Sequence, residues 1–231
     1  MTNINLFTGI KVMITAGPTR EAIDPVRFIS NHSTGKMGYA IAEEFCSRGA
    51  DVTLISGPVN ITTQNARIRS VQVTTTAEMY EACCLHFPES NIAVLSAAVA
   101  DYTPKFVASQ KIKKKDNEFS IELVKTVDIA AELGKRKQPG QMTIGFALET
   151  ENELENARKK LRSKNLDMIV LNSLQNPGAG FGHETNQVTI LNRDATEKSF
   201  ALKSKKEVAK DIVQCIMHDV FSHFDHGLVL C

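Results

Sequence analysis

The 231-residue sequence predicts an α/β fold: a Rossmann-like, mostly parallel sheet flanked by helices, with an added β arm. Short apolar runs rich in β-branched residues alternate with amphipathic stretches long enough for helices, as βαβ units require. The run 92–98 is apolar throughout, which suits a central strand covered on both faces. The arm, over about residues 102–126, then breaks the alternation, beginning with a polar, lysine-rich stretch over 101–115. It ends in an alternating segment, 118–124, whose Phe119, Ile121 and Leu123 fall on one side.

Taken in order, residues 11–15 are the first strand. Residues 36–47 are the first helix, with Met37, Ala40, Ile41 and Phe45 on one face and Gly49 as its stop. Residues 51–56 and 70–74 are the next strands. Thr75 with Glu78 makes a capping box that opens a helix running to about His86. The strand 92–98 is expected beside the first. After the arm come a short helix at 128–134, a strand at 142–147, and a second capping box, Thr150 with Glu153, whose helix ends near Lys164. A strand at 167–172, a glycine-containing loop at 173–186 and a hairpin pairing 187–191 with 199–203 precede a closing amphipathic helix at 205–221. The elements read as one domain over 1–231, with no internal repeat.

Hydrophobic residues at 42% and charged residues at 23% are those of a soluble chain that buries a sizeable core. Lys plus Arg (27) against Asp plus Glu (26) leaves +1, which provides no global field for nucleic acid or an anionic membrane. Anion binding must therefore be local. No apolar run approaches a bilayer span and the N-terminus lacks a signal pattern, so a cytoplasmic protein is expected. The five cysteines form no CxxC pair and no ligand set; reduced thiols are expected, with neither zinc nor a redox dithiol.

The connection between the first strand and first helix, residues 17–38, reads GPTREAIDPVRFISNHSTGKMG, longer than most loops need and hence a candidate for function. The GxGxxG spacing of dinucleotide folds is absent, and a P-loop fails because Gly35-Lys36 is followed by Met37. Ser33, Thr34, Gly35 and Gly38 stand at the helix start, where free amides and the helix dipole favour a phosphate; the same residues also suit a plain helix cap. Asp101, in SAAVADY, follows the central strand at the edge where open α/β sheets bind ligands. It is a candidate for contacting a nucleotide or its metal, or an ordinary surface carboxylate. The lysine run 111–115 either brings a mobile cation to a polyphosphate or is a solvated face. Lys160 and Lys164, four apart on one helix face, meet either a phosphate or water. Phe146 stacks on a base or packs in the core, and the loop 176–186 is a candidate cover for the site.

Together ITAGPTREAIDPVRFISNHSTGKMGYAIAEEF, SGPV, AAVADY, KIKK, GFALET, KNLDMIVLN and GFG with Asn186 resemble phosphopantothenate-cysteine ligase, the second half of the bacterial bifunctional coenzyme A biosynthesis protein. The resemblance spans about residues 10–220, and SNHSTGKMG after DPVR is its most specific part. It implies a ligation in which the carboxylate of 4'-phosphopantothenate attacks the α-phosphate of CTP, giving an acyl-cytidylate and pyrophosphate, after which L-cysteine displaces CMP. It also implies magnesium on the phosphates. By motif, Asn31 would hold the acyl-cytidylate, Arg27 would contact the acyl substrate or its intermediate, and Lys111, first lysine of KIKK, would assist the first half-reaction. Gly17, Ser33, Thr34, Gly35, Gly38, Ala97, Ala98, Asp101, Phe146, Lys160 and Lys164 fall at nucleotide positions, with Lys111 beside them, and Asn186 falls at a substrate position. The run Val127, Asp128, Ile129, Ala130 is also a nucleotide position; there the family's Pro-Asp-Ile lacks its proline, which changes the backbone path. The bacterial style of AAVADY and KNLD implies CTP, where eukaryotic relatives use ATP. A homodimer joined through the arm is implied, the arm bringing Lys111 near a substrate site. The flavin-dependent decarboxylase half has no counterpart in these residues, so no flavin is expected in this chain. The resemblance suits a separately encoded ligase and one half of a longer protein equally.

Two rival readings are weaker. A nicotinamide-dependent oxidoreductase would need GxGxxG and a YxxxK pair, and neither is present. A noncatalytic nucleotide-binding module leaves the polar residues clustered at every strand end without a purpose.

Overall fold

The computed structural model describes residues 6–113, 119–173 and 182–225. Lys114, Lys115 and Glu118 of the arm, residues 176–181 of the expected covering loop, and Cys231 lie outside the described residues.

The chain runs β1 (Lys11–Ala16), β2 (Arg20–Ala22), β3 (Phe28–Ser30), α1 (Lys36–Ser47), β4 (Asp51–Ser56), β5 (Ile68–Gln72), α2 (Thr76–His86) and β6 (Ile92–Leu95). It continues with β7 (Tyr102–Pro104), β8 (Leu123–Lys125), α3 (Ile129–Arg136), β9 (Met142–Glu149), α4 (Glu153–Ser163) and β10 (Met168–Ser173). Last come β11 (Thr185–Asn186), β12 (Val188–Asn192), β13 (Glu197–Ser199), β14 (Lys203–Ser204) and α5 (Lys205–Asp225). One eight-stranded sheet has the order β13-β12-β10-β9-β6-β1-β4-β5. Strands β10 through β5 are parallel neighbours, and β12 and β13 add antiparallel at one edge. The chain therefore starts mid-sheet, builds outward through β4 and β5, returns to β6 and builds the other way. Between β1 and β6 the order reverses, which opens a crevice at their carboxyl ends.

Alternation along the strands assigns the two cores. Val12, Ile14, Val52, Leu54, Val94, Ile144 and Val170 face α1 and α5, meeting Ile41, Phe45, Ile212 and Ile216. Met13, Ile55, Ala93, Leu95, Ile169 and Leu171 face the other way, against Met79 and Cys83 of α2, Leu133 of α3 and Leu161 of α4. Each large side chain so buried contributes about 2 kcal/mol, and two covered faces explain why β1 is buried at every residue after Lys11. Helix α1 ends in a Schellman motif: the Gly49 amide bonds Cys46 O, the Ala50 amide bonds Phe45 O, and Gly49 takes φ 100. The described cysteines are free thiols, and burial pushes Cys83 up to about 12.

Several boundaries differ from expectation, each for a local reason. The strand expected over 92–98 stops at Leu95 because Ser96 Oγ donates to Thr15 O (2.6 Å) and the Ala97 amide to Thr15 Oγ1 (3.2 Å), so side chains replace the ladder. Pairing resumes as a single bridge between Pro18 and Ala98. The strand expected over 70–74 is Ile68–Gln72, since Glu78 accepts the amides of Thr74 (2.6 Å) and Thr75 (3.2 Å) and draws them into the cap of α2. The capping box of Thr75 and Glu78 is present. That of Thr150 and Glu153 is not: β9 runs on through Glu149, and the helix is entered through Asn152 at φ 46, a left-handed residue without a side-chain cap bond. Helix α3 begins one residue late because Asp128 is its cap, accepting from the Ala131 amide (3.0 Å). Strand β12 pairs with β13, while Lys203–Ser204 pairs instead with Thr185–Asn186.

The long connection is not unstructured. Its middle folds as the hairpin β2–β3, which packs on β7 of the arm, and β7 pairs antiparallel with β8 through Thr103 and Val124. Phe119 and Ile121 lie before β8, outside the paired strand. Phe28, Tyr102, Phe106, Val107, Phe119 and Leu123 leave these hairpins with an exposed apolar surface. No described helix is long and apolar enough to cross a membrane.

Candidate functional site

The carboxyl edge of the sheet holds a cleft of about 770 Å³. Its floor is the reversal point between β1 and β6. With residues 18–34 folded out as a hairpin, Gly17 and Gly35 return to contact: a Cβ on Gly35 would lie 3.4 Å from Gly17 Cα, and both residues take positive φ, 75 and 76. Gly38 seats α1 on the sheet, where a Cβ would lie 2.6 Å from Ala16 Cβ. A tight turn, a close backbone approach and close helix–strand packing are the three duties of the dinucleotide glycines. Here they are met by Gly17, Gly35 and Gly38, which the sequence spacing conceals.

The cap of α1 is Gly35, and no side chain caps the helix there. Ser33 Oγ accepts the Gly35 amide (3.3 Å), ahead of the helix rather than within its first turn. The plain-cap alternative for Ser33 and Thr34 is therefore not the observed arrangement, and the helix opens toward the cleft as an anion site does. Ser33, Thr34, Gly35 and Gly38 line this wall, while Gly17 lies behind it and is not a lining residue.

Asn31 crosses from the connection to the loop after β6. Its Nδ2 donates to Ala98 O (3.0 Å) and Val99 O (3.2 Å), fixing the two loops against each other. Asn31, Ala97, Ala98 and Asp101 all line the cleft. Below them Thr19 Oγ1 receives the Ala100 amide (2.9 Å) and meets Thr76 Oγ1 (3.0 Å), and the buried Glu21 accepts from the Thr76 amide and hydroxyl (2.8 and 2.7 Å). This buried network ties the hairpin, α2 and the β6 loop into one support.

The opposite wall is formed by Val127, Asp128, Ile129, Ala130, Phe146, Lys160 and Lys164. Lys164 pairs with Asp128 (2.9 Å) and Lys160 with Glu149 (2.6 Å). Partial burial opposes the charge on Asp128, but Lys164, the Ala131 amide and Lys160 outweigh it and hold its carboxyl below the ordinary value. Phe146 is half-buried against the α1–α5 core and also lines the cleft. Asn186 lines the far end.

Arg27 and Lys111 are not among the lining residues. Asp24 ties Arg27 to Ile112, the residue after Lys111 on the arm: its carboxylate receives Arg27 Nε (3.1 Å) and Nη2 (2.5 Å) and the Ile112 amide (3.0 Å), while Arg27 Nη2 also reaches Ile112 O (3.0 Å). The Arg27 guanidinium holds the Asp24 carboxyl well below the usual carboxylate range against the opposing effect of burial. Arg27 also lies over the Phe119 ring at 5.7 Å.

The cleft holds residues the sequence reading passed over. Asn172 is the penultimate residue of β10, and its Oδ1 is buried without a partner among the described residues, an acceptor waiting for a donor. The carboxyl-edge rule that picked Asp101 would have found it. Lys36 and Lys205 line the α1–α5 side; Lys205 is one lysine among several in KSKKEVAK and carries no local signal. Burial, and then Lys36, push the Lys205 ammonium down from its ordinary value, with Glu184 acting the other way. Among the described residues no cluster of three metal-ligating side chains occurs.

Comparison with known proteins agrees with this architecture. Residues 7–220 match the family described as DNA/pantothenate metabolism flavoprotein C-terminal domain. The coenzyme A biosynthesis bifunctional protein of Bacillus subtilis is 49% identical over 206 residues, covering 89% of this chain and 50% of that protein. A prokaryotic cysteine/cysteine sulfinic acid decarboxylase is 53% identical over 209 residues, covering 90% of this chain and 58% of that protein. The chain thus spans little more than half the length of these relatives. Among solved structures, the C-terminal domain of a coenzyme A biosynthesis bifunctional protein superposes with a TM-score of 0.80 at 42% identity, covering 94% of this chain and 99% of that one. A complex of the Cab2 mutant H337A with phosphopantothenate-cysteine, at 18% identity and a TM-score of 0.75, shares the fold. With the motif resemblance, the doubly wound sheet and these matches in agreement, the chain belongs to the DNA/pantothenate metabolism flavoprotein C-terminal domain family, the family of the ligase part of the bifunctional coenzyme A biosynthesis proteins.

Proposed function

We propose that this chain is a CTP-dependent phosphopantothenate-cysteine ligase of the cytoplasm, working through an acyl-cytidylate. What supports the reading most is that motif segments far apart in sequence, around Asn31, Ala98, Asp128, Phe146 and Lys160, line one cleft at the strand-order reversal. A carboxylate resists attack until one of its oxygens belongs to a good leaving group. In the first step a carboxylate oxygen of 4'-phosphopantothenate bonds to the α-phosphorus of CTP and pyrophosphate departs. In the second, the amine of cysteine bonds to the acyl carbon, CMP leaves with the acyl oxygen, and the nitrogen loses a proton. The residues contribute charge and position: amides at the start of α1 and the lysines of α4 face the polyanion, and Asn31 offers an amide donor beside it. Magnesium would lessen the phosphate charge and be carried chiefly by the triphosphate, with Asp101 as the cleft carboxylate outside any ion pair among the described residues. No step of this reaction calls for a flavin in this chain.

Incubation with magnesium, 4'-phosphopantothenate, L-cysteine and either CTP or ATP tests the reading. Release of pyrophosphate and CMP with formation of the amide is expected with CTP; neither product with either nucleotide would sink it.

The exposed apolar surface of the two hairpins supports a homodimer joined there, and Arg27 and Lys111, standing beside that surface, would then serve the cleft of the partner subunit. Sedimentation is expected to give a dimer, and a monomer at assay concentration would count against it. Lys111→Gln should slow pyrophosphate release about a hundredfold. Mixing that variant with Asn31→Asp chains should recover part of the turnover, because a mixed dimer retains one intact cleft. Pyrophosphate release from Lys111→Gln at the parent rate would remove Lys111 from the mechanism.

A further inference from the structure

The support beneath the cleft converges on one carboxylate. Glu21, the middle residue of β2, is only 5% exposed, and its Oε1 accepts both the backbone amide (2.8 Å) and the hydroxyl (2.7 Å) of Thr76, the first residue of α2. The positive end of α2 favours a carboxylate there. Each hydroxyl has one proton to give, which sets the direction of the network. Thr19 Oγ1 receives the Ala100 amide (2.9 Å) and lies 3.0 Å from Thr76 Oγ1, so the Thr19 proton goes to Thr76 and the Thr76 proton to Glu21. Glu21 is therefore the end acceptor of a chain of bonds that begins in the β6 loop.

That chain reaches both walls of the cleft. On one side β2 pairs with β3, Glu21 opposite Ile29 and Arg20 opposite Ser30, and Ser30 Oγ donates to Thr19 O (2.7 Å). Asn31 follows directly, so the strand that delivers it is placed by the strand that Glu21 anchors. A ladder of three residues is marginal by itself, and the hairpin sits where its anchors hold it. On the other side Ala100 O accepts from Thr126 Oγ1 (2.6 Å) and Asp101 O from the Thr126 amide (3.0 Å), and Thr126 leads into Val127 and Asp128. Glu21 itself does not line the cleft.

We infer that Glu21 is a positioning residue of the ligation: acting through Thr76 and Thr19, it fixes the gap between Asn31 and the Val127–Asp128 wall. It touches no substrate. The inference rests on the ligase reading for the reaction, but the placement of Asn31 by Glu21 is readable without turnover, which permits the two to fail separately.

Three variants of the full chain, compared at a temperature where each is folded, test it. Glu21→Met keeps the length and removes the acceptor, and Glu21→Gln keeps an acceptor oxygen. Thr76→Val breaks the chain of hydroxyls and stands in should the methionine variant fail to fold. Glu21→Met and Thr76→Val are expected to lower kcat about tenfold or more with the KM for CTP within about threefold, and Glu21→Gln to keep turnover within about twofold. Adding either damaging change to Asn31→Ala should deepen that variant's loss by less than about twofold, because both act on the same placement. In the magnetic resonance spectrum of the isotope-labelled chain, the Asn31 side-chain amide and the Ala98 and Ala100 amides should shift in Glu21→Met and Thr76→Val and hold in Glu21→Gln, with α5 unaffected. Parental kcat in either damaging variant, losses that multiply in the double variant, an equal loss in Glu21→Gln, or shifts spread evenly into α5 would overturn the inference. The expected shifts in a chain that makes no amide with CTP or ATP would uphold the placement and sink the ligase reading instead.

Discussion

Asn31→Asp is expected to cut overall turnover by about two to three orders of magnitude while still allowing the acyl-cytidylate to form. The native side chain holds two carbonyls, Ala98 O at 3.0 Å and Val99 O at 3.2 Å, and borders the cleft between the α1 opening and the β6 loop. An aspartate loses the donor and sets a carboxylate against both carbonyls. It also puts a like charge beside the phosphate of the intermediate, where repulsion is strongest once pyrophosphate and its metal have gone. The second half-reaction should therefore suffer more than the first. Rapid quenching with mass spectrometry should trap the acyl-cytidylate on the variant. Normal turnover with no trapped species would count against the role, and Asn31→Ala separates its parts: if alanine is as slow as aspartate, lost loop bonding rather than added charge is the cause.

Elements with local signals were legible in the sequence. Helix α1 and strand β4 fall where periodicity and β-branched runs put them, and the Thr75–Glu78 box is formed as its spacing predicts. Errors arise where a distant group decides. The strand 92–98 is cut short by Thr15, some eighty residues away, and the Thr150–Glu153 signature is overruled because β9 extends through Glu149 and leaves Asn152 to reverse the chain. The site shows the same division. Residues flagged at strand ends, such as Asp101 and Phe146, line the cleft, because the carboxyl-edge rule follows from topology. The glycine turn was hidden because 17 residues of hairpin separate Gly17 from Gly35, so the contact exists in space and in no short window of sequence. Lys205 was hidden for the opposite reason, being one of many lysines and distinguished by burial alone.

Gly38→Ala should destabilise the protein and weaken nucleotide binding together. A Cβ at this position would stand 2.6 Å from Ala16 Cβ, 2.7 Å from Ser96 Oγ and 3.2 Å from Ala16 Cα. Carbon atoms pack at about 3.5–4.0 Å, so the first turn of α1 must retreat by roughly 1 Å: Ala16 on β1 has no rotamer to adopt, and Ser96 Oγ turns aside only by giving up its bond to Thr15 O. Overpacking of this kind costs about 1–3 kcal/mol, or about 3–10 °C in Tm for a chain of this size. The displaced turn carries Lys36 and the amides that open on the cleft, so CTP affinity should fall at least about tenfold, beyond any effect of lower stability at a temperature where the variant is folded. Gly145→Ala is the informative comparison. Its Cβ would meet the Leu166 Cδ1 at 2.5 Å, yet that methyl is the end of a flexible side chain that can turn aside, so a smaller loss of Tm is expected. Calorimetric unfolding and CTP titration of both variants check this. A Gly38→Ala protein with parental Tm and CTP affinity would show that α1 is not held against the β1–β6 crevice by the missing side chain, and the phosphate end of the site would then need another anchor.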